Sequence, residues 1–235
     1  MKSASRLRCA VLALAVCAAL PLGAARQPTP AAPPDLQGKL YKSVFVPGAG
    51  ALTLNDLPNV PDEIRTRLAR YLSRRSGFRS SYKSGADSFE AVRVEAKRRQ
   101  VEQSIVALIE APGIEQMAAA YVAAAPIRYE WQGMHDGPIE ESAQAEALLG
   151  KEPSTPLAPY FYVFIAHRQR AAFETYEVEK SQDGMRAAAR KYRQFAERAR
   201  ALADPIFPAL MADLDRQPFV YIKTTTHPRD YNSGP

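Results

Sequence analysis

The sequence predicts a mainly α fold of packed α-hairpins with two or three short β-strands. Three observations carry this expectation. Apolar residues recur at helical spacing through most of residues 61–214. Helix start and stop residues bracket those stretches. Period-two alternation is confined to a few brief segments.

The first 25 residues read as an export signal. Lys2, Arg6 and Arg8 precede an apolar run from Cys9 to Leu22, and Gly23, Ala24 and Ala25 supply small residues for cleavage. The run is shorter than the roughly 20 residues a membrane-spanning helix needs. Leu14-Ala15-Val16-Cys17 resembles a bacterial lipoprotein box, in which Cys17 would be acylated. The bulky Val16 and the downstream small residues favour a soluble product instead. Residues 26–38 hold Pro28, Pro30, Pro33 and Pro34 and read as an extended tether.

A single mainly helical domain is expected over residues 39–223. Residues 41–46, ending in Val44-Phe45-Val46 before Pro47-Gly48, read as a strand. The first helix has Pro61 at its start, Asp62 and Glu63 at the positive end of the dipole, Arg74 and Arg75 at the negative end, and Gly77 beyond. Ile64, Leu68, Tyr71 and Leu72 form its apolar face. A second helix opens on Asp87 and Glu90 as a capping box and reaches Ala111, with Val94, Val101, Ile105 and Leu108 inward. The pairs Glu95/Arg99 and Arg98/Glu102 are expected on its outer side.

An alanine-rich helix then spans residues 114–124. Ile127, Tyr129 and Trp131 alternate with polar neighbours and read as a second strand. Pro138 starts a helix that ends at Gly150, and Thr155-Pro156 opens a long one reaching about Gln182. From Met185 through Tyr192, Phe195 and Ala199 to Leu202 runs the cleanest amphipathic stripe in the chain. Asp204-Pro205 breaks it before a last helix around Ile206 to Leu214. Residues 219–223 read as a third strand, and residues 224–235 as a fraying tail. Ala143 to Leu149, followed by Pro153 and another helix, resembles a tetratricopeptide-type pair, although the chain has no repeat at the 34-residue period.

Both cysteines lie in the export signal, which removes disulfides, thiolate catalysis and cysteine zinc sites from the mature chain. The net charge of +6 falls to +3 when Lys2, Arg6 and Arg8 leave. Arg65, Arg67, Arg70, Arg74, Arg75, Arg79 and Lys83 form a run of seven bases without an acid, whereas residues 84–150 hold eleven acids and five bases. Arg67, Arg70 and Arg74 share a helical stripe. Together with Arg75, Arg79, Lys83 and the aromatics Phe78 and Tyr82, they suit a phosphate-bearing surface such as lipid headgroups or lipopolysaccharide. Another protein is the alternative partner, and nucleic acid is not expected after export. The plain reading of the run is a solvated face whose arginines pair with the acidic middle segment.

The second candidate is Arg168. On a helical projection it falls at the centre of a face made by Leu157, Phe161, Phe164, Ala171 and Ala172. A charge there needs a carboxylate, and Glu130, Glu140 and Glu141 stand in the preceding segment. His135 with Asp136, near Glu140 and Glu141, could serve acid–base chemistry or hold a metal, and the pocket of such a centre would be framed by Trp131, His135, Glu141, His167 and Arg168. No metal-binding, nucleophile-elbow or phosphate-loop motif accompanies them, and no cofactor is expected. Arg outnumbers Lys by 22 to 9, a bias of GC-rich bacterial genes. The sequence therefore points to a bacterial protein, periplasmic or secreted, with a non-enzymatic binding or assembly role. The alternative is an exported enzyme whose four candidate residues converge on one cleft.

Overall fold

Residues 157–166 are apolar on nearly every side, which dictates a helix with neighbours all round. A computed structural model of the chain describes residues 36, 39–45, 52–57, 60–78, 85, 88–128 and 130–216. In it that segment lies in α6 (Ala158–Glu179), the central helix. The others are α1 (Lys39–Phe45), α2 (Asp62–Gly77), α3 (Phe89–Leu108), α4 (Ile114–Ala124), α5 (Asp136–Lys151), α7 (Gln182–Arg200) and α8 (Ile206–Arg216). The predicted export signal, all of the tether but Leu36, and the predicted tail lie outside the described residues, as does the predicted strand at 219–223.

α6 forms its most extensive hairpin with α7 and also packs on α5 and α8, while α3 pairs with α2 and α4. Apolar residues from all eight helices join one core. Tyr160, Phe161 and Phe164 of α6 meet Phe45 of α1 and Tyr121 of α4, with ring centroids 4.7 to 6.4 Å apart. α1 acts as a clasp. The backbone N–H of Tyr41 donates to buried Asp213 of α8 at 3.1 Å, and Ser104 of α3 donates to the Val44 carbonyl at 3.0 Å.

Among the described residues there is no β-strand, so two of the predicted strands are corrected. Residues 39–45 are helical because Leu40, Tyr41, Val44 and Phe45 make one helical face, all four buried. A strand would separate Leu40 and Val44 from Tyr41 and Phe45, and the described residues hold no partner strand to pair its backbone. Residues 127, 128, 130 and 131 are in neither helix nor strand. Ile127 and Trp131 are buried as the alternation requires, but a turn with Gln132 and Gly133 at positive φ follows instead of a second strand.

The helix bounds follow the local chemistry. α2 keeps its expected acidic and basic ends, with Pro61 as N-cap rather than first helical residue. For α3 the cap is Ser88, whose hydroxyl accepts from the Ala91 N–H. Its pattern departs from expectation on the inside. Val101, Ile105 and Leu108 are buried, but so are Glu95, Lys97 and Glu102, whereas Phe89 and Val92 are exposed. Glu95 pairs with Arg99 as expected, yet from a buried position.

Two glycines are required by close approach. A Cβ on Gly184 would lie 2.4 Å from the Tyr176 ring, and one on Gly137 would lie 2.4 Å from the Trp131 ring. Gly184→Ala is therefore expected to cost about 1–3 kcal/mol through overpacking where α7 leaves α6. Gly150, with open space at its Cβ position, is the matched control. Gly150→Ala is expected to add about 0.4–1 kcal/mol by restricting the unfolded chain. Urea denaturation followed by emission of Trp131, the single tryptophan, measures both. Equal effects at the two positions would contradict the packing at Gly184.

Candidate functional site

Helical geometry separates the predicted acid–base residues before any contact is considered. His135 precedes α5 and Glu141 lies six residues on, a rotation of about 600° at 3.6 residues per turn, so the two face different ways. Glu141 points inward and is 1 % exposed. His135 stays at the surface. Its Nδ1 lies 2.8 Å from Glu179 of α6 and its Nε2 3.2 Å from Asp136, with the ring 4.3 Å from that of Tyr176.

Arg168 takes the partner that its place on an apolar face demanded. Its Nε and Nη2 both lie 3.0 Å from Glu141 Oε2, and both side chains are 1 % exposed. Glu140, the neighbouring candidate, turns out to Arg128 at 2.6 Å instead. The other Glu141 oxygen accepts from Trp131 Nε1 at 3.0 Å and from the Arg128 N–H at 3.4 Å. The Arg168 guanidinium carbon sits 4.0 Å from the Phe164 ring centroid, and Nη1 donates to His167 Nδ1 at 3.1 Å. That donation requires an unprotonated Nδ1. Burial first, and the charges of Arg168 and Arg170 second, hold the His167 pKa well below its ordinary value.

Lys97 of α3, a surface charge by its sequence pattern, is buried in this neighbourhood. Burial lowers its pKa to about 8, opposed by the attraction of Glu141 and reinforced by Arg168 and Arg93. Trp131, seen in sequence as a frame residue, is a direct donor to the carboxylate. Of the four predicted catalytic residues, the structure brings Glu141, His167 and Arg168 together and leaves His135 apart. Among the described residues, no group of three or more His, Cys, Asp or Glu side chains is arranged to hold a metal.

The arginine stripe is the second site. Arg67 lies 2.9 Å from Glu110 and 2.8 Å from Asp204, and also donates to the Leu108 carbonyl. Arg70 reaches the same Glu110 oxygen at 2.7 Å and Arg74 approaches it at 3.7 Å. The hydrogen bond from Arg70, with the charges of Arg67, Arg70 and Arg74 behind it, holds the Glu110 carboxyl below its usual range. Arg67 is largely covered, with 12 % of its side chain exposed, whereas Arg70 and Arg74 keep 50 % and 44 %. Arg75 turns to α1, donating to Ser43 Oγ at 2.6 Å and Tyr71 Oη at 2.9 Å. Arg79 and Lys83 lie outside the described residues. Sequence reasoning did not single out Glu110, although it stands at the end of α3 as an acid among apolar residues and Pro112-Gly113.

Beside this stripe is an open cleft of about 750 Å3, with Arg74 and Phe78 on one side and Val106, Ile109, Glu110 and Ile114 on the other. A smaller cavity of about 220 Å3 lies among α4, α5 and α6. Neither is lined by His135, Glu141, His167 or Arg168. No helix among the described residues is long and apolar enough to cross a membrane. No known protein family, curated protein or solved structure matches the chain.

The buried histidine gives a pH signature. His167 is neutral in the fold, whereas in the unfolded chain it takes up a proton below its ordinary value of 6.5. Its contribution is therefore complete above that pH and is lost as pH falls toward its depressed folded value. Wild type is expected to lose up to about 1.4 kcal/mol per pH unit below 6.5 relative to His167→Gln. Urea denaturation of both proteins from pH 7.5 to pH 4.5 checks this, and parallel stability curves would contradict it.

Proposed function

We propose that this is an exported helical protein of the bacterial envelope or exterior that works by binding rather than by catalysis. The observation that carries this reading is that His135 stands apart from Glu141, His167 and Arg168, which meet in the core and line neither described cavity. His135 is engaged at the surface by Glu179 and Asp136, while Glu141 and Arg168 close on each other in the core. A reacting centre needs such groups within reach of one bound substrate. The sequence pattern of residues 1–25 supports the compartment.

The binding surface proposed is the arginine stripe of α2, Arg67, Arg70 and Arg74, with an anionic envelope surface as partner. Three arginines converge on one glutamate there, and Asp204 adds a single further acid. The group keeps a positive balance, and Arg70 and Arg74 remain about half exposed. In sequence the charge continues through Arg79 and Lys83. Each base close to an anionic bilayer contributes about 1 kcal/mol, fading over a Debye length of about 8 Å at physiological salt. Exposed pairs with Glu110 offset only part of that.

Co-sedimentation of the mature chain with phosphatidylglycerol vesicles, against phosphatidylcholine vesicles, tests the proposal. Binding is expected with the anionic lipid at low salt and is expected to fall steeply as salt is raised. Arg70→Gln with Arg74→Gln should weaken it about fivefold or more. No sedimentation at low salt, or binding indifferent to the double substitution, would overturn the assignment.

A further inference from the structure

Away from both the arginine stripe of α2 and the buried ion pair, the outer face of α7 concentrates positive charge. This helix holds six bases and two acids, a larger positive excess than the +3 of the chain without Lys2, Arg6 and Arg8. Ala188, Phe195 and Ala199 turn its apolar side into the core. At about 100° per residue, Arg186, Arg190, Arg193 and Arg200 fall within about 80° of one another on the opposite side, along about 21 Å of helix. All four are exposed.

Their engagement differs. Arg200 is held by Asp215 of α8 at 2.5 Å. Arg186 pairs with Asp183 one turn back, where the two side chains are 61 % and 95 % exposed. Arg190 and Arg193 make no hydrogen bond or ion pair among the described residues. Glu197, the other acid of α7, is exposed one turn beyond Arg193 and pairs with neither. On α2, by contrast, Arg67, Arg70 and Arg74 already share Glu110. A contact made by Arg190 and Arg193 displaces no internal partner.

The form of the face gives the kind of partner. Gln182 and Glu197 complete the arc, so it carries no aromatic or large apolar side chain. Nothing there can stack on a nucleic-acid base or insert among acyl chains. The neighbouring Ala187 and Ala189 are short, so the guanidinium groups stand as a straight, unobstructed row. Such a row complements a flat layer of phosphates and is held by charge alone. We propose that the outer face of α7 is a second contact with an anionic lipid bilayer, made through Arg190 and Arg193 without insertion. The inference rests on the envelope reading for its partner and shares no residue with the α2 surface.

Co-sedimentation of the full mature chain with phosphatidylglycerol vesicles, against phosphatidylcholine vesicles, tests the assignment. Arg190→Gln with Arg193→Gln should weaken binding to the anionic lipid about tenfold or more at low salt. Arg190→Lys with Arg193→Lys should keep it within about twofold, because the charge is retained. Lys151→Gln with Arg128→Gln removes the same net charge elsewhere and should also stay within about twofold. Gln suits a helix nearly as well as Arg, so all three proteins should melt with wild type. If the Gln pair disturbs folding, Ala187→Glu decides instead, since it sets an acid three residues before Arg190 and should cause a similar loss. Binding that survives the α7 substitutions, or that falls as far in the Lys151/Arg128 pair, overturns the inference. A loss with the α7 pair but none with Arg70→Gln and Arg74→Gln supports α7 and overturns the α2 assignment, and the converse does the reverse. Absence of wild-type binding at low salt overturns both.

Discussion

Two opposite charges withdrawn from water, Glu141 and Arg168, set the conditions that the surrounding helices must meet. Each is 1 % exposed, and removing an ion from water costs several kcal/mol even after a protein relaxes around it. Coulomb attraction offsets that only with good geometry and with the remaining hydrogen-bonding positions filled. Both conditions hold here. One carboxylate oxygen takes two guanidinium nitrogens and the other takes Trp131 and the Arg128 backbone, while Phe164 lies against the guanidinium face. The pair thereby fixes α5 against α6 and draws Arg128 and Trp131 onto both. Gly137 belongs to the same arrangement, because only a residue without Cβ admits the Trp131 ring beside the start of α5.

The arginines of α2 obey the opposite regime. Their shared partner, Glu110, is 43 % exposed, as are large parts of Arg70 and Arg74. Ion pairs in that setting contribute little to stability and are readily exchanged for other anions. The molecule therefore holds its charge in two different settings. In the centre, charge is matched group for group and closed to solvent. On α2, Arg67, Arg70 and Arg74 share Glu110, with Asp204 beside Arg67, and Arg70 and Arg74 stay about half exposed. This contrast in burial, rather than any motif, separates the structural arginine from those assigned to binding.

Much of the helical architecture was legible because its boundaries are chemical. α4 begins after Pro112-Gly113 and ends before Pro126, and its observed span of 114–124 is the expected one. The burial of Arg168 and its need for a carboxylate followed from its place among Leu157, Phe161 and Phe164. α1 was misread because over seven residues a helical face and a strand alternation fit nearly the same letters. Only the tertiary partners of Leu40, Tyr41, Val44 and Phe45 separate the two. The interior of α3 was illegible for a different reason. Glu95, Lys97 and Glu102 look like surface charges in sequence, and their burial depends on which way the helix is rolled against its neighbours. The choice of Glu110 as the common acid for Arg67, Arg70 and Arg74 likewise depends on a contact some 40 residues away in sequence.

The central claim is that Glu141 and Arg168 act as one structural unit and not as parts of a solvent-open site. A double-mutant cycle with Glu141→Gln and Arg168→Met, read by urea denaturation with Trp131 emission, tests it most directly. Each single change should cost about 3–5 kcal/mol, because it strands a buried partner. The double variant should recover about 2 kcal/mol or more relative to the sum, within the coupling range of contacting residues. Additivity within about 0.5 kcal/mol, or an Arg168→Met protein as stable as wild type, would contradict the account.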